Sequence, residues 1–328
     1  KVTFDGSVPE QEVLLGFESD VLGANSTKAE LMGDSEKGWI SNILDFFSGC
    51  WLKIFGREKI KFRMYARDIV SGIRTVSVSY KKNGGNALVF DTGNTGNAEA
   101  HIRILRKENE RKEDALLSGY MLLEGEFTVK EGQDISIQDF TVEEIRDYAG
   151  NIRRADDKGR AFVLRSLDES SDLLYLDRKA PVLDIRYPAE GVTEEEYKRI
   201  FYKDTVTLPL MLTERFYLKN MRNGSVVTPQ ISIQGENRSA VQVTSWTSDG
   251  IKGYDASAEV CFPAGQDCEQ EYSCTVSYQD VAENPLTAGE SCKGTAENGV
   301  YTEYAVIVDH VAPKLVEFGI DGRTNRTV

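Results

Sequence analysis

The chain is 328 residues long, with 39 Lys plus Arg against 53 Asp plus Glu and a formal net charge of −14. A surface this acidic repels phosphate backbones and anionic lipid, which excludes nucleic acid as a partner class and membrane surfaces with it. No stretch approaches the roughly 18 consecutive apolar residues of a membrane span; the richest apolar cluster, Trp39 to Phe55, is broken by Ser41, Asn42, Asp45 and Ser48.

The length fits two or three domains, each burying its own core. The chain starts at Lys1 with no charged-then-apolar leader, so any signal peptide is expected to lie outside this sequence.

In chain order, the first element is a short alternating strand, Val2 and Phe4, that ends in Asp5 and runs to Pro9 (KVTF-DGSVP). The pattern returns from Leu173 (LLYL-DRKAP, ending at Asp177 and Pro181) and from Ala305 (AVIV-DHVAP, ending at Asp309 and Pro313). Alternation before the Asp is the pattern of a half-buried closing strand. The proline then blocks ladder pairing and carries the chain, extended, into the next module. This period divides the chain into 1–177, 178–309 and the start of a further, incomplete domain at 310–328.

Within 1–177, Trp39, Ile40, Ile43, Leu44, Phe47 and Trp51 recur at helical spacing. They predict a short inserted amphipathic helix, with Phe46 extending its apolar face. Such a helix either caps the core or presents Trp39, Ile43, Phe46, Phe47 and Trp51 to a partner.

Strands are expected at Ile60 to Ala66, at Val76 to Tyr80 before the turn signal Asn83-Gly84-Gly85, and at Ala100 to Leu105. The mixed charge run Arg106 to Asp114 reads as a solvated loop. Asp147-Tyr148-Ala149-Gly150-Asn151 follows as a turn.

The second module opens with a short helical element over Glu194 to Phe201 and a strand over Val206 to Leu212, matching Ile60 to Ala66. Glu214 stands where Asp68 stood. Asn223-Gly224 and Asp249-Gly250 mark turns. Glu271 to Tyr278 alternates Tyr272, Cys274, Val276 and Tyr278 on one face. Asp280-Val281-Ala282-Glu283-Asn284 then answers the earlier Asp147 turn, and the two lie at matching distances, to one residue, from Asp177 and Asp309. With no βαβ rhythm, the expected class is all-β, built from tandem two-sheet modules.

Cys50 stands alone, whereas Cys261, Cys268, Cys274 and Cys292 crowd together without zinc-site spacing. They read as two disulfides in an oxidising compartment. Of three connectivities, Cys261 with Cys268 and Cys274 with Cys292 join the nearest neighbours.

No catalytic constellation is legible. The two His residues, His101 and His310, fall in a strand and a linker, and no phosphate loop is present. No catalytic residue, cofactor or metal is therefore assigned. Asp5, Asp177 and Asp309, facing the Asp147/Asn151 and Asp280/Asn284 turns, could offer oxygen ligands to calcium, but local turn-capping by these side chains is the simpler expectation.

The string Tyr272-x-Cys274-x-Val276-x-Tyr278-x-Asp280-x-Ala282-x-Asn284, with Tyr301-Thr302-Glu303 and Val306-x-Val308-Asp309-x-x-Ala312-Pro313, resembles the bacterial immunoglobulin-like domains strung along large surface proteins of gut Firmicutes. Glu283 departs from the Gly usual in that turn, which the first module keeps at Gly150.

The resemblance implies tandem immunoglobulin-like β-sandwiches in an extracellular, cell-surface protein that binds rather than catalyses. Some such proteins bind host immunoglobulin as superantigens do, through variable-domain framework. The expected partner is thus a host protein, immunoglobulin Fab foremost, for a monomeric module without membrane insertion. The alternative is a stalk or accessory carbohydrate-binding module, for which Trp246 and Tyr254 are the aromatic candidates.

Overall fold

The computed structural model describes residues 6–7, 16–20, 54–68, 70–92, 100–105, 120–154, 163–164, 174–222, 225–248, 250–265 and 269–313. These residues form an all-β protein whose helical content is two three-residue 3-10 turns, Tyr217–Lys219 and Arg238–Ala240. The chain forms two compact units. The first holds Lys1–Pro181, Glu214–Thr228 and Tyr278–Leu286, and the second Val182–Thr213, Pro229–Ser277 and Thr287–Val328.

In the first unit an antiparallel sheet runs in the spatial order Gly16–Ser19, Lys59–Arg67, Tyr120–Thr128, Ala100–Leu105. Another runs Ile54–Gly56, Leu174–Asp177, Asp134–Asp147, Ile73–Lys82, Ala87–Asp91, and Ile54–Gly56 lies parallel to Leu174–Asp177. Alternation turns one face of each sheet inward.

Phe62 and Phe127 of the first sheet meet at 5.5 Å between ring centroids. Tyr80 of the second meets Phe127 edge-on at 5.1 Å. All three are fully buried, and each aromatic pair contributes about 0.5–1.5 kcal/mol beyond its buried area.

The turn after Ile73–Lys82 follows its chemistry. Asn83 (φ 53) and Gly84 (φ 69) both take the left-handed conformation, and the Gly85 N–H donates to the Lys82 carbonyl at 2.9 Å. Positive φ at two successive residues is what an Asn-Gly pair accepts readily, and pairing resumes at Ala87 opposite Lys81.

The second unit repeats the order. Val182–Ile185, Val206–Thr213 and Ala256–Phe262 are consecutive neighbours in one sheet. In the other, Arg199–Tyr202 lies parallel to Ala305–Val308, which pairs with Gln270–Ser277, and that strand pairs with Gln230–Gln234. Phe262 and Tyr272, one from each sheet, meet at 5.3 Å.

Two expectations require correction. Glu194 to Phe201 is not helical. Val192–Glu194 and Arg199–Tyr202 form an antiparallel hairpin around Glu195 to Lys198, with Lys198 left-handed at φ 54. Ile200 and Tyr202 alternate into the core, and this period of two prevails over the helical propensity of the acidic run.

Nor are the clustered cysteines bonded, since Cys261, Cys274 and Cys292 are free thiols. Strand alternation buries Cys274 in Gln270–Ser277 but turns Cys261 away from the buried face of Ala256–Phe262. The Cys292 thiol donates to the Leu183 carbonyl at 3.1 Å. Burial, reinforced by Glu303, pushes the Cys274 thiol up to about 12, so it is an inert core group.

Cys50, Cys268, the Trp39 to Trp51 helix, the Arg106 to Asp114 run and residues beyond Pro313 lie outside the described residues. Among the described residues no helix is long and apolar enough to cross a membrane.

Candidate metal centre

Three carboxylates converge inside the first unit. Asp177 ends the strand Leu174–Asp177, every residue of which is buried. The two-residue period puts it on the same face as Tyr175. Glu214 opens the Tyr217–Lys219 turn: its Oε1 accepts from the Phe216 N–H at 3.1 Å and the Asn220 amide at 3.5 Å.

Asp280 caps the turn that ends at Asn284. Its Oδ1 accepts from the Asn284 N–H and its Oδ2 from the Asn284 amide, both at 2.8 Å. Asp177, Glu214 and Asp280 are 1%, 3% and 0% exposed. One ligand-capable oxygen from each lies within 4.8 Å of those of the other two.

The Asp280 turn is built twice. Asp147 accepts from the Asn151 N–H and from the Asn151 amide, each at 2.7 Å, and donates its own N–H to the Asn151 carbonyl at 3.1 Å, where Asp280 donates to Asn284 at 3.2 Å. The left-handed position before the Asn is Gly150 (φ 95) in one and Glu283 (φ 65) in the other. The turn-capping expected of these Asp and Asn side chains is present in both.

Around the second turn, capping does not end the story. The Asn284 amide also donates to the Asp177 carbonyl at 2.9 Å, and Asn220 Oδ1 accepts from the Val281 N–H at 3.1 Å, locking the three segments together.

One side of the site is apolar. Phe55, Tyr175, Phe216 and Val281 form a buried cluster, with Phe55 stacked on Tyr175 at 4.8 Å and Tyr175 edge-on to Phe216 at 5.1 Å. This wall removes water from the carboxylates, and desolvation disfavours their charged forms. Burial is accordingly the largest cause of upward shifts at all three. Glu214 is raised further by Asp177 and Asp280; Asp177 is raised further by Asp280 and Asp134 but held down by the Lys179 N–H and a side-chain hydrogen bond with Glu214; donors from Asn284 and the charge of Arg57 restrain Asp280, which reaches about 6.

Arg215 does not neutralise the group. Its guanidinium stacks over Phe216 at 4.9 Å and bonds Asp134 and Asn83. The donor set is all-oxygen and anionic, which suits a hard cation of the calcium type rather than zinc.

Sequence reasoning named Asp177, Asp280 and Asn284 as possible oxygen donors but missed Glu214 as their companion. The signal lay in its match to Asp68, whose Oδ1 likewise accepts backbone N–H groups, from Val70, Ser71 and Gly72. The predicted partner-binding residues Trp39, Ile43, Phe46, Phe47 and Trp51 lie outside the described residues. Trp246 and Tyr254 are half-buried in the connection before Ala256–Phe262 rather than in strands. A polar cleft on the first unit, lined by Arg74, Asp91, Glu143, Glu144, Arg146 and Arg154, has Arg146 and Arg154 both paired to Glu144.

In comparisons with known proteins, no family model matches the chain and no curated protein matches it.

Proposed function

We propose that this chain is a binding segment of an extracellular bacterial surface protein, built from tandem immunoglobulin-like β-sandwiches, without catalytic activity, whose partner is host immunoglobulin. The observation that carries the reading is recurrence. The same neighbour order of strands and the same Asp–Asn capped turn occur twice in one chain. Strings of one module are characteristic of proteins that project binding surfaces on semi-rigid, proline-bearing connections.

Together with the motif resemblance, this supports engagement of Fab through variable-domain framework. The insertion between Pro9 and Asp68 supplies the contact residues Trp39, Ile43, Phe46, Phe47 and Trp51.

The test is capture of human serum immunoglobulin on the immobilised chain, with separate Fab and Fc and with heavy- and light-chain typing. Saturable Fab binding across unrelated antigen specificities is expected, and no Fab binding overturns the immunoglobulin assignment. The position of Trp246 and Tyr254, outside the strands and partly exposed, favours the carbohydrate-accessory reading as the second one. A glycan array with a Trp246→Ala control decides that arm.

A further inference from the structure

We propose that Asp177, Glu214 and Asp280 form a calcium-class divalent cation site within the first unit. Three carboxylates, each at most 3% exposed, do not gather within 4.8 Å of one another at no cost. Burying like charges together requires either protons or a cation. The spacing admits the cation, which would displace the proton that Asp177 and Glu214 otherwise share. Two oxygens bound to one calcium at about 2.3–2.6 Å lie at most about 5 Å apart, and the three donors here already meet that limit.

An independent feature points the same way. Tyr278, 5% exposed, has a buried hydroxyl with no hydrogen-bond partner among the described residues. It stands beside the acids, since Glu214, Asp280 and Asp177 all act on it electrostatically. A buried hydroxyl left unpaired costs about 1–3 kcal/mol, and a hydrated cation in the acidic pocket supplies a water to meet it.

Asn220 and Asn284 brace the ligands rather than compete for the ion, because their amides already bind Glu214, Asp280 and the Asp177 carbonyl. The cation would join three segments distant in sequence: the end of Leu174–Asp177, the Glu214 turn and the Asp280 turn.

The experiment is calorimetric titration of the chelator-stripped 328-residue chain with calcium chloride. Saturable binding with Kd of about 10⁻³ M or tighter is expected. At saturating calcium the melting temperature should rise by about 5–10 °C. Glu214→Gln and Asp177→Asn should each weaken one equivalent at least tenfold.

Absence of binding up to 10-fold above that limit, or binding untouched by both substitutions in folded variants, overturns the site. If the variants do not fold, terbium on the unsubstituted chain replaces them. Emission excited through tyrosine and displaced by calcium supports the assignment through Tyr278 and Tyr217, and binding without such emission overturns it.

Discussion

Glu303 in the second unit and the Asp177–Glu214–Asp280 group in the first are all buried acids with hydrogen-bond donors, but the three in the first unit also stand against one another. Glu303 Oε2 accepts from the hydroxyls of Tyr187 and Tyr301, and its Oε1 from the Tyr304 N–H at 2.7 Å. The two hydroxyls are themselves satisfied, Tyr187 by the Lys293 N–H at 3.1 Å and Tyr301 by the Gly294 N–H at 2.9 Å.

Such a closed network makes a buried carboxylate a structural rivet. The group in the first unit has a desolvating aromatic wall and sets three acids within 4.8 Å of one another, the arrangement in which a ligand has something left to do. Burial alone therefore does not separate a structural acid from a ligating one; the neighbouring acids do.

The largest expected effect attacks the rivet through its backbone. A Cβ on Gly294 would stand 2.0 Å from the Thr302 carbonyl oxygen and 2.8 Å from the Glu303 Cα, neither of which can swing aside. Gly294→Ala should cost at least about 4 kcal/mol, or prevent the second unit from folding, as read by denaturant unfolding. A loss below about 1 kcal/mol would mean that the Glu303 network is not rigid.

Next comes the aromatic wall. Phe216→Ala should destabilise the first unit by about 3–5 kcal/mol, the usual range for emptying a buried aromatic site. It should also admit water to the three carboxylates, and calorimetry resolving two transitions should show only one of them moved.

Tyr187→Phe removes one donor to Glu303 and the acceptor of the Lys293 N–H, so about 1–3 kcal/mol should be lost from the second unit. A neutral outcome would show that Tyr301 alone suffices.

The smallest effect is a slope. Burial, the largest cause, raises the Glu303 pKa above its ordinary value, against the pull of its hydrogen bonds. A raised acid binds its proton more tightly folded than unfolded. Its contribution is present in full below the unfolded pKa and fades as pH rises through the folded one. The second transition should thus fall with rising pH, and Glu303→Gln should flatten that fall; an unchanged slope would assign it to another group.

Much of this architecture is legible in the sequence. The alternation of Tyr272, Cys274 and Val276 predicts a strand, and Gln270–Ser277 is one with those residues inward. The Asp147 and Asp280 strings predict one turn used twice, because the Asp and Asn that cap it are neighbours in sequence.

What escaped were features made by distant partners. Glu303 and Tyr187 are 116 residues apart, and no local pattern announces their meeting. Glu214 looked like the end of a strand because its role depends on where Asp177 and Asp280 come to rest. The run Glu194 to Phe201 has a composition that favours helix, while pairing of Arg199–Tyr202 with Ala305–Val308 decides otherwise. The cysteines misled because proximity along the chain says nothing about which side of a strand each thiol takes.

The parallel pairing of an early strand with the closing strand has a mechanical consequence. In each unit the two run side by side in the same direction, Ile54–Gly56 with Leu174–Asp177 and Arg199–Tyr202 with Ala305–Val308. Tension applied through the chain on either side of such a pair drags the partners in opposite directions along their common axis. The ladder is then loaded in shear, so its bonds share the force and must yield together instead of unzipping one after another. A chain loaded through its two ends gains from that geometry a resistance to pulling that its equilibrium stability does not measure.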